Sequence, residues 1–419
     1  MMNGMEQYDV AVIGAGPAGL FCAIHAAAPG CRVLLLEKNS GPGNKLLLTG
    51  SGQCNITHTG EVRNFLTHYG DHGKFLRPAF FGFGSRDLTA FFGERRLAMM
   101  TGEDGKVFPE TRRSADVLAT LLKECRERGV ALRCGDPVTG IFRTSNGFEI
   151  TTSEQLYRST VLVIATGGAS YPKTGSAGDG YRFAASLGQP VTGIAPALTP
   201  LLIRKYPFAA LAGISFERMR FSVWRVAKKH ADHTGDVLFT HLGLSGPGIL
   251  DASRDILLDD QIRLSFVGPL TRGEFTADLT RRVEENRNWQ ISTILAAYPI
   301  PERLNRKLLV LSGIPEDLRC DHFSAGQRSK LITNCTEFPL TVEAPGGFSV
   351  AMVTRGGVAL DSVNGKTMES TVQPDLYFAG EVLDIDGDTG GYNLQTAFST
   401  GILAARSIRK KKESKSGKG

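Results

Sequence analysis

Short apolar runs alternate with helically spaced ones along the first forty residues. Val10 to Ile13 is unbroken and apolar, too short for a helix and suited to a strand buried on both faces. Leu20 and Ile24, set among small residues, then follow at helical spacing, and RVLLLE (32–37) returns to strand character. Val161 to Ala165 and Leu376 to Ala379 repeat the buried-strand pattern much further on. Between them, two alternating stretches in VTGIFRTSNGFEITT (138–152) meet at Asn146-Gly147, which predicts an antiparallel hairpin with a type I′ turn leaving a parallel sheet. Ser114, followed by Val117, Leu118, Leu121, Leu122 and Cys125 with Gly129 beyond, predicts an amphipathic helix capped by Ser114.

From Pro196 to about Gly356 the pattern changes. Strand-like runs (RMRFSVWRV, DVLFT, QIRLSFV, PLTVE, FSVAMVT) enclose a helical stretch near Thr276 to Phe338, in which ADLTRRVEENRNWQISTILAA and PERLNRKLLVLSGI are too polar for core helices. This reads as an inserted module that caps another domain, with no internal repeat and no low-complexity linker.

Glycines carry the chemistry. Gly14-x-Gly16-x-x-Gly19 falls where the first strand gives way to a helix, so backbone N–H groups and a helix N-terminus can meet a pyrophosphate. Gly14 makes the tight turn, Gly16 admits the phosphate, and Gly19 lets helix and strand pack closely. Glu37, ending the second strand, stands where a ribose diol would donate to it. The order strand, glycines, helix, strand, acid predicts a dinucleotide site, NAD and FAD both remaining open.

Thr166-Gly167-Gly168 after the Val161–Ala165 strand predicts a second close-approach loop beside the first. Near the C-terminus, Gly380-Glu381 opens a polar, glycine-rich loop and a helix follows from about Asn393, presenting N–H groups at Leu394 and Gln395. A positive helix end aimed at a flavin pyrimidine stabilises the charge that gathers on reduction by ~1 kcal/mol. NAD has no such need, which favours FAD.

The 419 residues suggest two or three domains, and 42% hydrophobic with 21% charged residues is a globular composition. No apolar run approaches the ~20 residues of a membrane span, and Met1 to Tyr8 has neither a basic nor a long apolar stretch, so a cytoplasmic protein is expected. The net charge of +6 resides in the tail: Arg406 to Gly419 holds seven Lys/Arg and one Glu, and the rest balances at 41 basic and 41 acidic residues. The tail is expected to be solvated and frayed, and a neutral body argues against a nucleic-acid partner. Seven scattered cysteines without a C-x-x-C pair fit reduced thiols and no metal site. Cys54 alone has a case for lying near chemistry.

Several long, ordered motifs together resemble one family, the bacterial BaiN-like (YhiN-type) flavoproteins, aminoacetone oxidase-like proteins among them. They are Gly14-Ala15-Gly16-Pro17-Ala18-Gly19, GNKLLLTGSGQCNIT (43–57), GKVFP (105–109), ATGGASYPKTGSAGDGY (165–181), LFTHLGLSGPGIL (238–250) and GEVLDIDGDTGGYNLQTAFSTG (380–401). The resemblance implies an α/β fold: a Rossmann-like FAD-binding domain interrupted by a β-barrel-like domain that carries a small helical insertion. The expected parts are 1–195 and 356–408 for the FAD domain, 196–275 and 337–355 for the barrel, 276–336 for the helices and 409–419 for a disordered basic tail. It also implies that Lys45 to Asn55 runs along the FAD pyrophosphate toward the flavin. Gln53 departs from the arginine usual in the family, and Thr49 stands where a serine is frequent.

The candidate cofactor-binding set is then Gly14 to Gly19, Glu37, Lys38, Lys45, Thr49, Gly50, Gly52, Gln53, Cys54, Asn55, Val138, Ala165, Thr166, Gly167, Gly168, Gly380, Glu381, Asp384, Gly391, Asn393, Leu394 and Gln395. FAD is the expected cofactor, with transient NAD(P)H binding left open, since no second G-x-G-x-x-G unit appears. No catalytic acid or base is named. Tyr392 and His241 are candidates for proton transfer whose packing roles weigh more, and Ser245 lacks the strand–G-x-S-x-G setting of a hydrolase nucleophile. The leading expectation is an FAD-dependent oxidoreductase acting on a small molecule, by amine oxidation or enone reduction, between the FAD domain and the cap. A tRNA-modifying flavoenzyme and a flavin-binding regulator without turnover are the alternatives.

Overall fold

The computed structural model describes residues 6–416 and divides into two compact units, one built on the chain up to Ala197 and from Phe348 onward, the other on Leu198–Gly347. In the first, β1 (Glu6–Ile13), α1 (Pro17–Ala26) and β2 (Val33–Glu37) follow the apolar pattern, and Val10, Ala11 and Val12 are fully buried. β1 lies between two parallel neighbours, in the register Val12 with Leu35 on one side and with Val163 on the other. The sheet runs Ala131–Cys134, β2, β1, Leu156–Ile164, Gly147–Thr152, Val138–Thr144, and Leu376–Phe378 pairs in parallel with the far end of Leu156–Ile164. Helix α1 lies close against the β1 turn because position 19 has no side chain: a Cβ there would sit 1.9 Å from the Gly14 carbonyl oxygen. The C-terminal helix Tyr392–Ser416 crosses α1 at Gly401, where a Cβ would be 2.6 Å from the Ala18 oxygen.

Several local expectations need correction. The hairpin forms, but Thr144 pairs with Gly147, so its turn residues are Ser145 and Asn146; neither has positive φ, which excludes a type I′ turn. Ser114 is the first residue of the helix Ser114–Glu127 rather than its cap, and its hydroxyl donates to the Leu47 carbonyl at 2.9 Å. The basic tail continues the C-terminal helix through Ser416, residues 417–419 lying outside the described ones. Lys411 pairs with Glu369 and Asp375, at 2.6 and 2.8 Å, and Lys412 with Asp9 at 2.7 Å, so charges expected to be solvated are used to dock the helix. Of FSVAMVT, Val353 and Thr354 enter a strand, Val353–Arg355, which pairs with Ala195–Ala197 within the first unit.

The second unit contains a closed barrel of six strands: Leu201–Ile203, Gly243–Ser245, Lys228–Phe239, Ser215–Arg225, Gln261–Leu264 and Phe338–Pro345. Phe208, Phe239, Phe266 and Phe338 fill its interior, the first two stacked at 5.0 Å. Four helices (Arg272–Glu285, Ile291–Leu295, Glu302–Leu311, Ala325–Thr336) share that core. Thr271 with Glu274, and Ser324 with Gln327, form capping boxes at two of their starts. The single helix expected over 277–297 breaks after Glu285, because the backbone around Gln290 turns away to pair with Arg319.

Asp278 holds this helical layer by its side chain. It accepts from Arg282 at 2.7 Å, from Tyr298 at 2.8 Å and from Arg281 at 2.6 Å, and these bonds pull its carboxyl down to about 2. A depressed carboxylate contributes stability that is complete above its ordinary 3.8 and disappears as pH falls toward 2. Acid titration of the unfolding midpoint is expected to show a loss between those values that Asp278→Asn removes; an unchanged acid limb in the variant contradicts this role.

Candidate functional site

The parallel strands of the first unit end together. Gly14 takes φ +99°, and a Cβ on it would lie 2.7 Å from the Ala165 carbonyl, so the turn after β1 and the end of Leu156–Ile164 touch through backbone. At Gly16, by contrast, a Cβ would meet nothing within 4 Å. The three glycines thus divide: Gly14 and Gly19 are closed by protein, and Gly16 faces open space beside the N-terminus of α1, with Pro17 at the first helical position. That is where a phosphate can approach.

Glu37 is buried at the end of β2. Its Oε2 accepts the Ala15 N–H at 2.9 Å, and its Oε1 accepts the backbone and side-chain N–H groups of Asn39 at 2.9 and 2.7 Å. The carboxylate therefore fixes the glycine turn, at the strand end where the sequence pattern expects a ribose diol. Lys38 pairs with Asp179, and the Asp136 N–H donates to the Glu37 carbonyl at 3.3 Å, which brings Val138, two residues on, toward the same end of the sheet.

The segment from Lys45 starts after Gly43, whose φ is +70° and whose N–H donates to the Ala15 carbonyl at 3.0 Å. Helix Asn44–Leu48 leads into a run in which Gly50, Ser51, Gly52 and Cys54 all have positive φ. For Ser51 and Cys54 this is a strained backbone, held by the bonds Cys54 N–H to Thr49 and Gln53 N–H to Gly50, both 3.0 Å. The Thr49 hydroxyl donates to Leu46. Cys54 is fully buried and burial pushes its thiol up to about 12, so it is a packing residue and not a nucleophile. Gln53 is exposed; Arg112, lying over the Phe108 ring at 4.2 Å, donates to its Oε1 at 3.0 Å. A guanidinium therefore reaches this position from a distant stretch.

Lys45 meets the C-terminal segment directly. Its ammonium is 2.8 Å from Glu381 Oε2, in an ion pair about one-fifth exposed on each side. Glu381 Oε1 also accepts the Thr354 N–H at 2.9 Å, and the buried Thr354 hydroxyl accepts from Ala169 and Ser170. Gly168 fits against this group, since a Cβ there would be 2.5 Å from the Thr354 hydroxyl; Gly167 and Thr166 precede it, with Gly167 at φ +72°. Gly380 closes the circle, a Cβ on it meeting that of Ala18 at 2.7 Å.

Asn55 points its Oδ1 at the loop before the C-terminal helix: the atom is buried, has no hydrogen-bond partner, and would lie 2.8 Å from a Cβ on Gly391. Asn393 shapes that loop by bonding Gly387 in both directions at 2.8 Å, and with Leu394 it sits in the first helical turn. Two candidates point elsewhere. The Gln395 amide nitrogen donates to Phe83 and Ser399 and its N–H to Gly391, so it packs inside the helix layer. Asp384 accepts from Thr192 at 2.9 Å and donates its N–H to Val358. The Tyr392 ring is stacked by His68 at 3.9 Å and His58 at 5.4 Å, with Phe65 edge-on. In the other unit, His241 is exposed in a barrel turn, and Ser245 precedes the helix Pro247–Ala252.

An open glycine position at a helix start, an acid at the end of β2, an orphaned buried amide oxygen and a second helix N-terminus form a cradle that suits FAD. A family model described as HI0933-like protein Rossmann domain matches residues 8–407. The chain belongs to the HI0933-like family. It is an FAD-dependent oxidoreductase with a Rossmann-like FAD-binding domain. Among its relatives, a 3-dehydro-bile acid delta(4,6)-reductase of Clostridium scindens is 30% identical, over 95% of this chain and 98% of its own. Ribosomal RNA dihydrouridine synthases of Escherichia coli (29%, covering 96% and 98%) and Haemophilus influenzae (30%, covering 96% and 99%) are similar over the same span. The comparisons give no support for NAD(P)H. Among the described residues, no cluster of acidic, His or Cys side chains is placed to hold a metal, and no helix is long and apolar enough to cross a membrane.

Asn39, Gly43, Thr354 and Arg112 were not visible as site residues in the sequence. Each acts through a contact distant in the chain or through a backbone angle; only Gly43 lies in a quoted motif, and its positive φ is not legible there.

The glycine geometry separates folding from binding. Gly16→Ala is expected to fold with an unchanged melting temperature and to lose FAD, since its methyl occupies the open space. Gly19→Ala is expected to lower the melting temperature of the cofactor-free protein, its Cβ colliding with Gly14. Equal behaviour of the two variants in melting and in FAD titration contradicts the assignment.

Proposed function

We propose that this enzyme reduces a carbon–carbon double bond conjugated to a carbonyl. One observation carries the reading: relatives matched over almost their whole length, named as a bile acid delta(4,6)-reductase and as dihydrouridine synthases, imply the same bond change. A 4,6-dienone and a uracil ring both present a C=C bond conjugated to C=O, and both products carry two more hydrogens. FAD supplies the hydride chemistry at N5 when bound. The chain's own share is positioning and electrostatics. Lys45 and Glu381 fix the approach loop, Gly391 and Asn393 shape the turn into the C-terminal helix, and that helix start would offer partial positive charge to a reduced flavin ring held beside it. Amine oxidation loses weight because none of these three relatives, each matched over almost the whole chain, bears such a name.

A small conjugated carbonyl is favoured over an RNA base. The body is charge-balanced, and two of the tail's lysines are already paired with Glu369, Asp375 and Asp9, which leaves less positive charge for a phosphate backbone. The test is anaerobic: the FAD-loaded enzyme, reduced by dithionite, is mixed with a 3-oxo-Δ4,6 bile acid or with a uridine-containing rRNA fragment. Reoxidation of the flavin with one equivalent of product that has lost one C=C bond is expected from the first. Reoxidation by the RNA alone moves the substrate to nucleic acid, and bleaching of the oxidised enzyme by an amine, with neither carbonyl reacting, contradicts the reading.

A further inference from the structure

Saturating a conjugated double bond needs a proton as well as a hydride, and the cradle described so far contains no assigned donor. Two histidines flank the loop that leads into the C-terminal helix. His58 is occupied on both ring nitrogens: Nδ1 faces the Thr59 carbonyl at 2.7 Å and Nε2 the Asp104 carbonyl at 2.8 Å. His68 is different. Its Nδ1 is 2.8 Å from Asp388 Oδ2, the Asp388 N–H donates to the His68 carbonyl at 3.0 Å, and Nε2 has no hydrogen-bond partner among the described residues. The side chain is about one-third exposed.

The ring is also held in place. It stacks on Tyr392 with centroids 3.9 Å apart and planes 18° apart, and the Tyr392 carbonyl is anchored by the Tyr69 hydroxyl at 2.8 Å. The carboxylate is anchored through its own backbone, because Asn393 donates to the carbonyls of Gly387 and Asp388 at 2.8 and 3.2 Å. Asn393 lies in the first turn of the helix whose N-terminus borders the cradle, so the histidine–carboxylate pair and that turn are tied into one piece. A histidine whose one nitrogen is fixed by a carboxylate and whose other nitrogen is left open is the arrangement of a general acid or base.

We propose that His68, positioned by Asp388, is the proton donor of this site. The inference rests on the reductase reading. Asp388 accepts from Nδ1–H and fixes the ring, and Nε2–H gives its proton to the carbon next to the substrate carbonyl. Reduced FAD, when bound, would supply the hydride to the neighbouring carbon. The π bond is lost, two C–H bonds form, the cofactor ends oxidised, and His68 recovers a proton from water; the two electrons enter from a separate two-electron reductant, dithionite in the test.

Two measurements decide it. In the cofactor-free protein, 15N spectra of the imidazoles are expected to show neutral His68 as the Nδ1–H tautomer, with Asp388→Asn shifting it toward Nε2–H; an Nε2–H tautomer in the unmodified protein overturns the proposal. In the loaded enzyme, His68→Gln is expected to slow reoxidation by the 3-oxo-Δ4,6 bile acid about 100-fold or more. Added imidazole should restore part of the rate, and reoxidation by ferricyanide, which needs no carbon protonation, should be unchanged. A His68→Gln enzyme that reacts with the bile acid at the original rate, or that slows equally with ferricyanide, overturns the assignment alone. An unmodified enzyme that no conjugated carbonyl reoxidises overturns the reductase reading and the role of His68 with it.

Discussion

Glu381 is the point at which the site is tied together. Its carboxylate takes the Lys45 ammonium on one side and the Thr354 N–H on the other, and Gly168 is bare so that the chain can pass beside it. Three segments more than a hundred residues apart in sequence thereby share one partly buried anion. Removing it would leave Lys45 without its counter-charge at an approximately one-fifth exposed position, and an uncompensated charge in such surroundings costs more than the pair itself gains. The approach loop, the close-approach loop and the C-terminal segment are consequently a unit: none can keep its geometry alone.

What surrounds this anion is mostly backbone. Gly14, Gly19, Gly168, Gly380 and Gly391 each bring main chain within a distance that a methyl would block, and Gly16 alone among the motif glycines faces open space. A cradle lined by N–H groups and helix ends suits a phosphate-bearing cofactor, which supplies the reactive atom itself. The burial of Cys54 removes the thiol of the approach loop from a nucleophilic role. That is why the chemistry assigned to the protein is orientation, charge stabilisation and a single proton.

The elements that could be read from the sequence are those specified by local pattern. The Val10–Ile13 run, the three spaced glycines and Glu37 determine a strand, a turn and a helix within thirty residues, and each obeys its own steric rule. Four of the six barrel strands were recognisable at least in part from their apolar runs; the short strands Leu201–Ile203 and Gly243–Ser245 were not, and closure depends on pairing Leu201–Ile203 with Phe338–Pro345 across more than a hundred residues. Features settled by tertiary contact were misread. Asn146-Gly147 looks like a type I′ turn, yet the register places the turn one residue earlier; Ser114 looks like a cap, yet its hydroxyl is taken by Leu47. The tail looks frayed by composition, and ion pairs with Glu369, Asp375 and Asp9 hold it in a helix. Gln395 lies in the right motif and on the wrong face of its helix.

The reading of the cradle requires four separated stretches to contact one FAD molecule. Amide hydrogen exchange with and without saturating FAD tests it most directly. If all four stretches hold the cofactor, exchange slows simultaneously at residues 14–19, 45–55, 165–168 and 387–394, with the barrel residues 215–239 unchanged. Protection confined to the first glycine turn, with the other three stretches exchanging as before, would contradict it.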